Sequence, residues 1–144
     1  MTTLTSANSV LTLAAKGTVY SVPVVIEGFG VDDAFHTDSV QKAETRIGVD
    51  GFLSAGKVFQ AYKMAITIMP TSPSFEFFET VIAVSDVTRE IVRIDGMIAL
   101  SGIDRVYNLV NGYITSAPGI VPAKRILGEV VYEITFESIQ PVSV

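Results

Sequence analysis

Alternation of apolar and polar residues is clearest near the middle of the chain, between Tyr62 and Met69. The large apolar side chains there fall on even positions, whereas Lys63, Ala65 and Thr67 occupy odd ones. A period of two places the two sets of side chains on opposite faces of a β-strand. We therefore predict a strand with one apolar face and one polar or lightly covered face.

A change to helical periodicity follows a short proline-containing break. Pro70 ends the strand because it cannot donate a ladder hydrogen bond, while Ser72 suits a helix N-cap and Pro73 the first helical position. From Phe75 onward the apolar residues form one broad helical stripe that consists of Phe75, Phe77, Phe78, Val81, Ile82 and Val84. We predict one amphipathic helix over about residues 73–88.

Most of the remaining chain is predicted to form short β-strands between turns. Runs of β-branched and aromatic residues predict strands at residues 9–13, 18–26, 44–49, 52–58, 89–94, 97–100, 105–116 and 129–139. Asp50-Gly51 and Asp95-Gly96 are typical two-residue hairpin turns, and Asn111-Gly112 predicts either a bulge or a third tight turn. Pro23 favours an edge strand or a bulge, and Gly56 favours a bulge or bend.

The order of these elements predicts the fold class. About eight strands accompany a single helix, and strand–helix–strand alternation is absent, so the strands are expected to pair in antiparallel fashion. We predict an antiparallel β-sandwich or partly closed barrel with one flanking α-helix. The chain has 144 residues, and residues 1–144 are predicted to form one domain.

The composition indicates that much of the surface is buried against other copies of the chain. Charged residues make up 17%, against about 25% in an average soluble domain, and the mean hydropathy is +0.47. No apolar run approaches the ~20 residues of a membrane-spanning helix, and the first residues do not resemble a signal peptide. We favour extended contacts between copies over an unusually apolar monomer, and we expect no membrane anchor.

Catalytic, cofactor and metal chemistry find no support in the sequence. The chain has no cysteine, and none of its serines lies in a Gly-x-Ser-x-Gly elbow that its one histidine, His36, would activate. Gly28-Phe29-Gly30 lacks the third glycine and the helix of a dinucleotide fingerprint, so it is interpreted as a turn. We predict that the protein is not an enzyme and has no catalytic residue, cofactor or metal.

An acidic segment without either periodicity, Val31–Ala43, is predicted to be a long loop. Its carboxylates do not have the spacing of a calcium loop, which leaves a solvated loop or a loop that docks on another subunit. An aromatic side chain in such polar surroundings is typical of an anchor for a neighbouring surface. The candidate docking residues are Val31, Asp32, Asp33, Phe35 and His36.

The last predicted strand also alternates clearly. Its even positions from Tyr132 to Phe136 are apolar, whereas its odd positions are polar, namely Glu133, Thr135 and Glu137. Carboxylate pairs such as Glu133 and Glu137 fit the polar face of a strand without any catalytic role. The net charge of −5 also argues against tight binding to nucleic acid phosphates, which requires clustered lysine and arginine.

Two regions together resemble the tail tube proteins of contractile-tailed bacteriophages. The first contains Gly48-Val49-Asp50-Gly51 and, after the alternating strand, Thr71-Ser72-Pro73-Ser74 before the helix. The second contains Gly112–Ser116, Pro122-Ala123-Lys124-Arg125 and Tyr132–Glu137. The resemblance extends from Gly48 to the end of the chain, and the fold it implies is shared with tube proteins of type VI secretion systems and tailocins.

The resemblance implies a structural subunit. Six copies would form a ring, and rings would stack into a hollow tube whose lumen conducts the genome during ejection. It also implies a tail sheath and other tail proteins as partners, and a location in the virion tail after assembly in the host cytoplasm. Double-stranded DNA would pass without tight binding, because a neutral or acidic lining does not retain phosphates.

With the polar face of the last strand directed inward, Glu133, Thr135 and Glu137 are candidate lumen-lining residues. A solvent-facing position on the outside is the alternative for these side chains. The tube of a tailocin or of a type VI-like secretion device makes the same physical demands as a phage tube. A monomeric β-barrel that binds a small ligand is a further alternative, although many large inward residues leave little room for a cavity.

Overall fold

The structure is a computed structural model that describes residues 9–26, 35–100, 104–120 and 128–142. The described residues form nine β-strands and one helix. Their bounds are β1 Ser9–Ala15, β2 Val24–Ile26, β3 Phe35–Thr37, β4 Ala43–Ile47, β5 Leu53–Lys57, β6 Tyr62–Ile68, α1 Phe75–Thr88, β7 Ile94–Leu100, β8 Arg105–Ser116 and β9 Val130–Val142.

Seven of these strands form one antiparallel sheet, and the other two form a separate hairpin. The order in the sheet is β2-β1-β7-β8-β9-β6-β3, and β4 pairs with β5. The sheet curls into a half-barrel, which is accompanied by the single helix. This architecture confirms the predicted fold class. The edge position of β2 agrees with the expectation from Pro23, since proline is tolerated at a sheet edge.

The concave side of the sheet carries the core. Met64, Ile66 and Ile68 of β6 are fully buried, as the alternation between Tyr62 and Met69 predicted. They lie beside Ile134 and its even-numbered neighbours on β9, because β6 and β9 pair with Met64 opposite Ile134. Two adjacent strands therefore present one continuous apolar surface to the interior.

Helix α1 covers this surface with aromatic side chains. Phe77, Phe78 and Val81 are buried. The ring of Phe78 stacks on Tyr132 of β9, with centroids 4.4 Å apart and planes 9° apart, and Phe77 lies 5.1 Å from the ring of Tyr20. Stacked aromatic pairs add about 0.5–1.5 kcal/mol to the stabilisation from buried area.

The helix begins at Phe75, two residues later than a cap at Ser72 would place it. The Ser72 carbonyl accepts the amide of Phe75 (3.2 Å), and the Ser72 hydroxyl accepts the amide of Ser74 (3.1 Å). The two bonds close a tight turn before the α-helix, and the N-cap position is occupied by Ser74. The prediction of Ser72 as the N-cap was wrong for this reason.

The predicted hairpin turn at Asp95-Gly96 is wrong, because β7 passes straight through it. A Cβ atom on Gly96 would collide with the carbonyl oxygen of Thr12 and the side chain of Leu13. The glycine is therefore required by the close approach of β1. The register with β8 shifts between Ile94 and Gly96, so the dipeptide lies at a bulge.

Asn111 supplies the other side of this bulge. Its φ is 52°, a left-handed conformation that asparagine tolerates better than most residues, and its amide donates to Oδ1 of Asp95 (2.8 Å). The strand β8 continues through Asn111 without a turn. Of the two predicted alternatives, a bulge or a tight turn, the bulge is therefore correct. The carboxylate of Asp95 compensates the backbone donor that the bulge removes from the ladder.

Several strand boundaries also differ from the predictions. Only Val24–Ile26 of residues 18–26 is a strand, because the Thr18 side chain closes a turn by donating to the Ala15 carbonyl (2.9 Å). Residues 89–93 are outside β7, since Arg89 ends the helix in a left-handed conformation. Pairing of β4 with β5 is regular at Gly56, and β9 continues past Pro141.

We expect Gly112→Ala to lower the free energy of unfolding by about 1–3 kcal/mol, as overpacked cores do. A Cβ atom there would collide with the ring of Phe136, which is fully buried. Gly56→Ala is the matched control, because Gly56 has open space around it. Urea unfolding of both variants measures the effect, and equal stabilities would contradict the packing described for Gly112.

We also expect stability to fall in strong alkali because of Tyr132. Burial, assisted by the negative charge of Glu79, raises the pKa of Tyr132 from 10.0 to about 12. Between these values the unfolded chain loses a proton that the folded protein keeps, so the free energy of unfolding decreases as pH rises, by about 3 kcal/mol in total. Tyr132→Phe should flatten this decrease; parallel pH profiles for the two proteins would refute the assignment.

Candidate assembly surfaces

The convex face of the sheet places the three candidate lumen residues together. Tyr132, Ile134 and Phe136 of β9 are buried, and the intervening residues Glu133, Thr135 and Glu137 lie on the opposite face. The alternation predicted for the last strand is therefore present. Which face of the sheet lines a lumen stays a prediction.

Each of these three side chains has a partner on a neighbouring strand. Lys63 Nζ of β6 lies 3.3 Å from Glu133 Oε2, and the hydroxyls of Thr115 and Thr135 lie 3.2 Å apart. Asn111 of β8 donates its side-chain amide to Glu137 Oε2 (2.8 Å). The carboxylate of Glu133 thus has a cation as its partner, whereas the partner of Glu137 is a neutral amide donor.

The contact between Lys63 and Glu133 contributes little to stability. Their side chains are 52% and 34% exposed, and exposed ion pairs contribute about 0–1 kcal/mol. This ion pair is therefore not needed for folding, and its two charged groups are available for contacts outside the subunit.

The predicted docking loop is described only in part. Val31, Asp32 and Asp33 lie outside the described residues. Phe35 and His36 belong to β3, where Phe35 pairs with Ile66 and packs against the core of its own chain. Three residues of the segment that lacked periodicity thus form an edge strand, because β6 offers them a backbone ladder. A docking role for the five candidates stays a prediction.

The β4–β5 hairpin is a surface that the sequence analysis did not single out. All ten residues of its two strands are exposed. Gly51, with φ of 83°, closes the turn by donating its amide to the Gly48 carbonyl (3.0 Å). The tip exposes Ile47 by 69%, Phe52 by 73% and Leu53 by 65%. A two-stranded hairpin alone is marginally stable, so this one is expected to be covered in an assembly.

The base of the hairpin is attached to the sheet. Lys42 Nζ lies 4.4 Å from the centre of the Tyr62 ring at the start of β6. Within the base itself, Val58 donates its amide to the Lys42 carbonyl (3.1 Å) and so joins the two sides of the hairpin. The apolar signal at Ile47, Phe52 and Leu53 was visible in the sequence. Only the tertiary structure shows that these side chains lie outside the core.

The described residues contain no cluster of acidic or histidine side chains suited to a metal ion. In the same part of the chain, no helix has the length and apolar character needed to cross a bilayer.

Solved structures share the fold over the whole chain. One is a chain of the anti-feeding prophage (AFP) baseplate, determined by cryo-EM with six-fold symmetry. It matches with a TM-score of 0.61 and 12% identity, over 100% of this chain and 98% of that chain. Another, from the cap that terminates the AFP tube, matches with a TM-score of 0.55 and 14% identity, over 100% and 93%.

No curated protein matches this chain significantly in sequence. A family model described as tail fiber protein gp32 matches residues 2–140, which is nearly the entire chain. The resemblance to proteins of contractile tails, noted from the sequence, is confirmed. On this match, the chain belongs to the tail fiber protein gp32 family.

Proposed function

We propose that this protein is a non-enzymatic structural subunit of a tail tube. Six copies form a ring, and stacked rings enclose a lumen that conducts the genome. The observation that carries the proposal is the curled seven-stranded sheet that carries Glu133, Thr135 and Glu137 on the face opposite its core, a fold shared along the whole chain with a component of a six-fold symmetrised baseplate. The tail sheath and other tail proteins are its partners in the virion.

The two edges of the sheet support ring formation. Among the described strands, β2 and β3 lie at its ends and each has one neighbour. The edges of a sheet are the places where strands of another molecule can be added. Each edge strand is three residues long, and short edge strands limit uncontrolled pairing, so closure of a ring would also need contacts outside the edge strands.

The chemistry of the convex face supports its assignment to the lumen. Its charges include the Lys63–Glu133 pair and the carboxylate of Glu137, so there is no excess of cations. Duplex DNA carries one charge per ~1.7 Å of its axis, and a lining without a cationic excess does not retain it. The same properties suit the tube of a tailocin or of a type VI-like secretion device, whose cargo also has to slide.

A second candidate function is a specialised ring at one end of a tube. The AFP structures that share the fold belong to a baseplate and to a cap that terminates a tube. Such a component would form one ring of six copies and would not continue into a stack.

Negative-stain electron microscopy of the purified protein distinguishes these functions. Open-ended stacks of rings are the expected result for a tube subunit, and single rings would favour the end component. A monomer at millimolar concentration, confirmed by sedimentation, would overturn both and would favour the small-ligand barrel.

We expect the double variant Glu133→Lys, Glu137→Lys to slow genome passage while assembly continues. The change adds cations to the proposed lining, where they would attract phosphates. The measurement is infectivity of tailed particles assembled with the variant, together with their appearance by microscopy.

Glu76→Lys, Glu79→Lys is the matched control, because it makes the same change in net charge on exposed positions of α1. Glu133→Gln, Glu137→Gln separates the loss of anions from the gain of cations. Intact particles that remain fully infectious with the lysine substitutions on β9 would place the convex face outside the lumen.

A further inference from the structure

The dipeptide Asn111-Gly112, at the bulge of β8, combines an unusual backbone conformation with a reactive side chain. Asn111 is the one asparagine of the chain that precedes a glycine. Its φ of 52° lies in the left-handed region, and the residue is half-buried. An asparagine in this position is chemically vulnerable, because the glycine has no Cβ atom to obstruct the approach of its own backbone nitrogen.

The reaction open to this dipeptide is spontaneous deamidation. The backbone nitrogen of Gly112 attacks Cγ of Asn111, so that an N–Cγ bond forms, and the bond between Cγ and the side-chain nitrogen breaks. Ammonia leaves with the proton of the backbone amide, and a succinimide ring remains. Water then opens the ring at Cγ, which gives aspartate, or at the main-chain carbonyl carbon, which gives isoaspartate. One water molecule is consumed for each ammonia released.

The folded structure restrains both reacting groups. Asn111 Nδ2, the leaving group, donates to Glu137 Oε2 (2.8 Å), and the backbone amide of Asn111 donates to Asp95 Oδ1 (2.8 Å). Gly112 is buried and is paired with β7 on one side and β9 on the other. Attack therefore requires the side chain of Asn111 to release Glu137 and to turn toward a nitrogen that the sheet holds in place.

Glu137 is the restraint that acts on the side chain alone. A carboxylate accepts a stronger hydrogen bond than a neutral acceptor does, and here the donor is the atom that has to leave in the reaction. Asp95 acts on the backbone instead, and its other carboxylate oxygen lies 3.1 Å from Arg93 Nε. The side-chain restraint can therefore be removed by substitution while the backbone restraint is kept.

The products of the reaction do not fit the same site. Aspartate in place of Asn111 would put a carboxylate where a donor now faces Glu137, and like charges on adjacent strands destabilise a sheet. Isoaspartate adds one carbon atom to the main chain, which displaces Gly112 and the residues after it from their register with β9. Either product weakens the sheet at the bulge, so a deamidated copy opens more readily than an intact one.

We propose that Asn111 is a site of spontaneous deamidation that the closed bulge protects, and that Glu137 is the positioning residue that keeps its side chain from reacting. The reaction proceeds through transient opening of the bulge, in the way that exchange of protected amides proceeds through local opening. The extent of deamidation then records how long a copy has been incompletely folded. The proposal concerns the single subunit and does not depend on assembly into a tube.

Mass spectrometry of the full-length protein after incubation in mildly alkaline buffer tests the proposal. The tryptic peptide Val106–Lys124 contains both Asn111 and Asn108, and Asn108 is half-buried on the same strand but precedes leucine. Fragmentation of this peptide assigns the change in mass to one asparagine or the other. In urea we expect Asn111 to deamidate well before Asn108. Without urea we expect Asn111 to react at least about tenfold more slowly, because reaction requires opening.

Glu137→Ala removes the acceptor, whereas Glu137→Gln retains one, so the two variants form a matched pair. In folded Glu137→Ala we expect Asn111 to deamidate about threefold to tenfold faster than in the natural protein, the range that loss of one hydrogen bond produces. Glu137→Gln should lie between the two. Thr115→Ala controls for general loosening of β8, because it removes a hydroxyl contact with Thr135 (3.2 Å). Its Asn111 should react at the natural rate.

The charge of the product can also be introduced directly. We expect Asn111→Asp to lower the urea midpoint of unfolding, because its carboxylate faces Glu137. Asn108→Asp is the matched control, since Asn108 lies opposite Met97 and Gln140, neither of which is charged. Equal midpoints for the two aspartate variants would contradict the repulsion described for the product.

Three results would overturn the protection itself. Equal rates for Asn111 with and without urea would show that the bulge gives no protection. Equal rates for Asn111 and Asn108 in urea would remove the special reactivity of the dipeptide. A rate in Glu137→Ala no faster than in Thr115→Ala, or an increase that its loss of global stability fully explains, would show that Glu137 is not the restraint.

Discussion

Burial of the concave side of the sheet beneath one helix is the constraint on which the rest of the structure depends. A sheet with one apolar face must cover that face, and here a single helix covers it with Phe77, Phe78 and Val81. The stack of Phe78 on Tyr132 joins the helix to the middle of β9. Because the concave side is covered from within the chain, the convex side, the edges and the hairpin are available to other molecules.

The sequence predicted the elements whose periodicity is set by the core. β6, α1 and β9 alternate or repeat because every second residue, or every third to fourth, contacts the same interior. Asp95-Gly96 was misassigned because the same dipeptide serves a tight turn and a close approach between strands. The close approach is visible only in the tertiary structure, where Thr12 of β1 contacts Gly96 although the two residues are more than eighty positions apart in the sequence.

The candidate surfaces were predictable to a smaller extent. The polar face of β9 followed from alternation alone, but its partners Lys63, Asn111 and Thr115 come from strands distant in sequence. Which strands lie beside β9 is a property of the sheet order. The exposure of Ile47, Phe52 and Leu53 could not be predicted from the sequence either, since apolar residues around a turn have the same pattern in a core hairpin and in a projecting one.

The exposed hairpin has a consequence for the free subunit. Ile47, Phe52 and Leu53 remain in contact with water as long as no partner covers them, and exposed apolar surface of this kind promotes aggregation. The isolated protein is therefore expected to lose solubility as its concentration rises, and an excess of free subunits would be a liability that incorporation into an assembly removes.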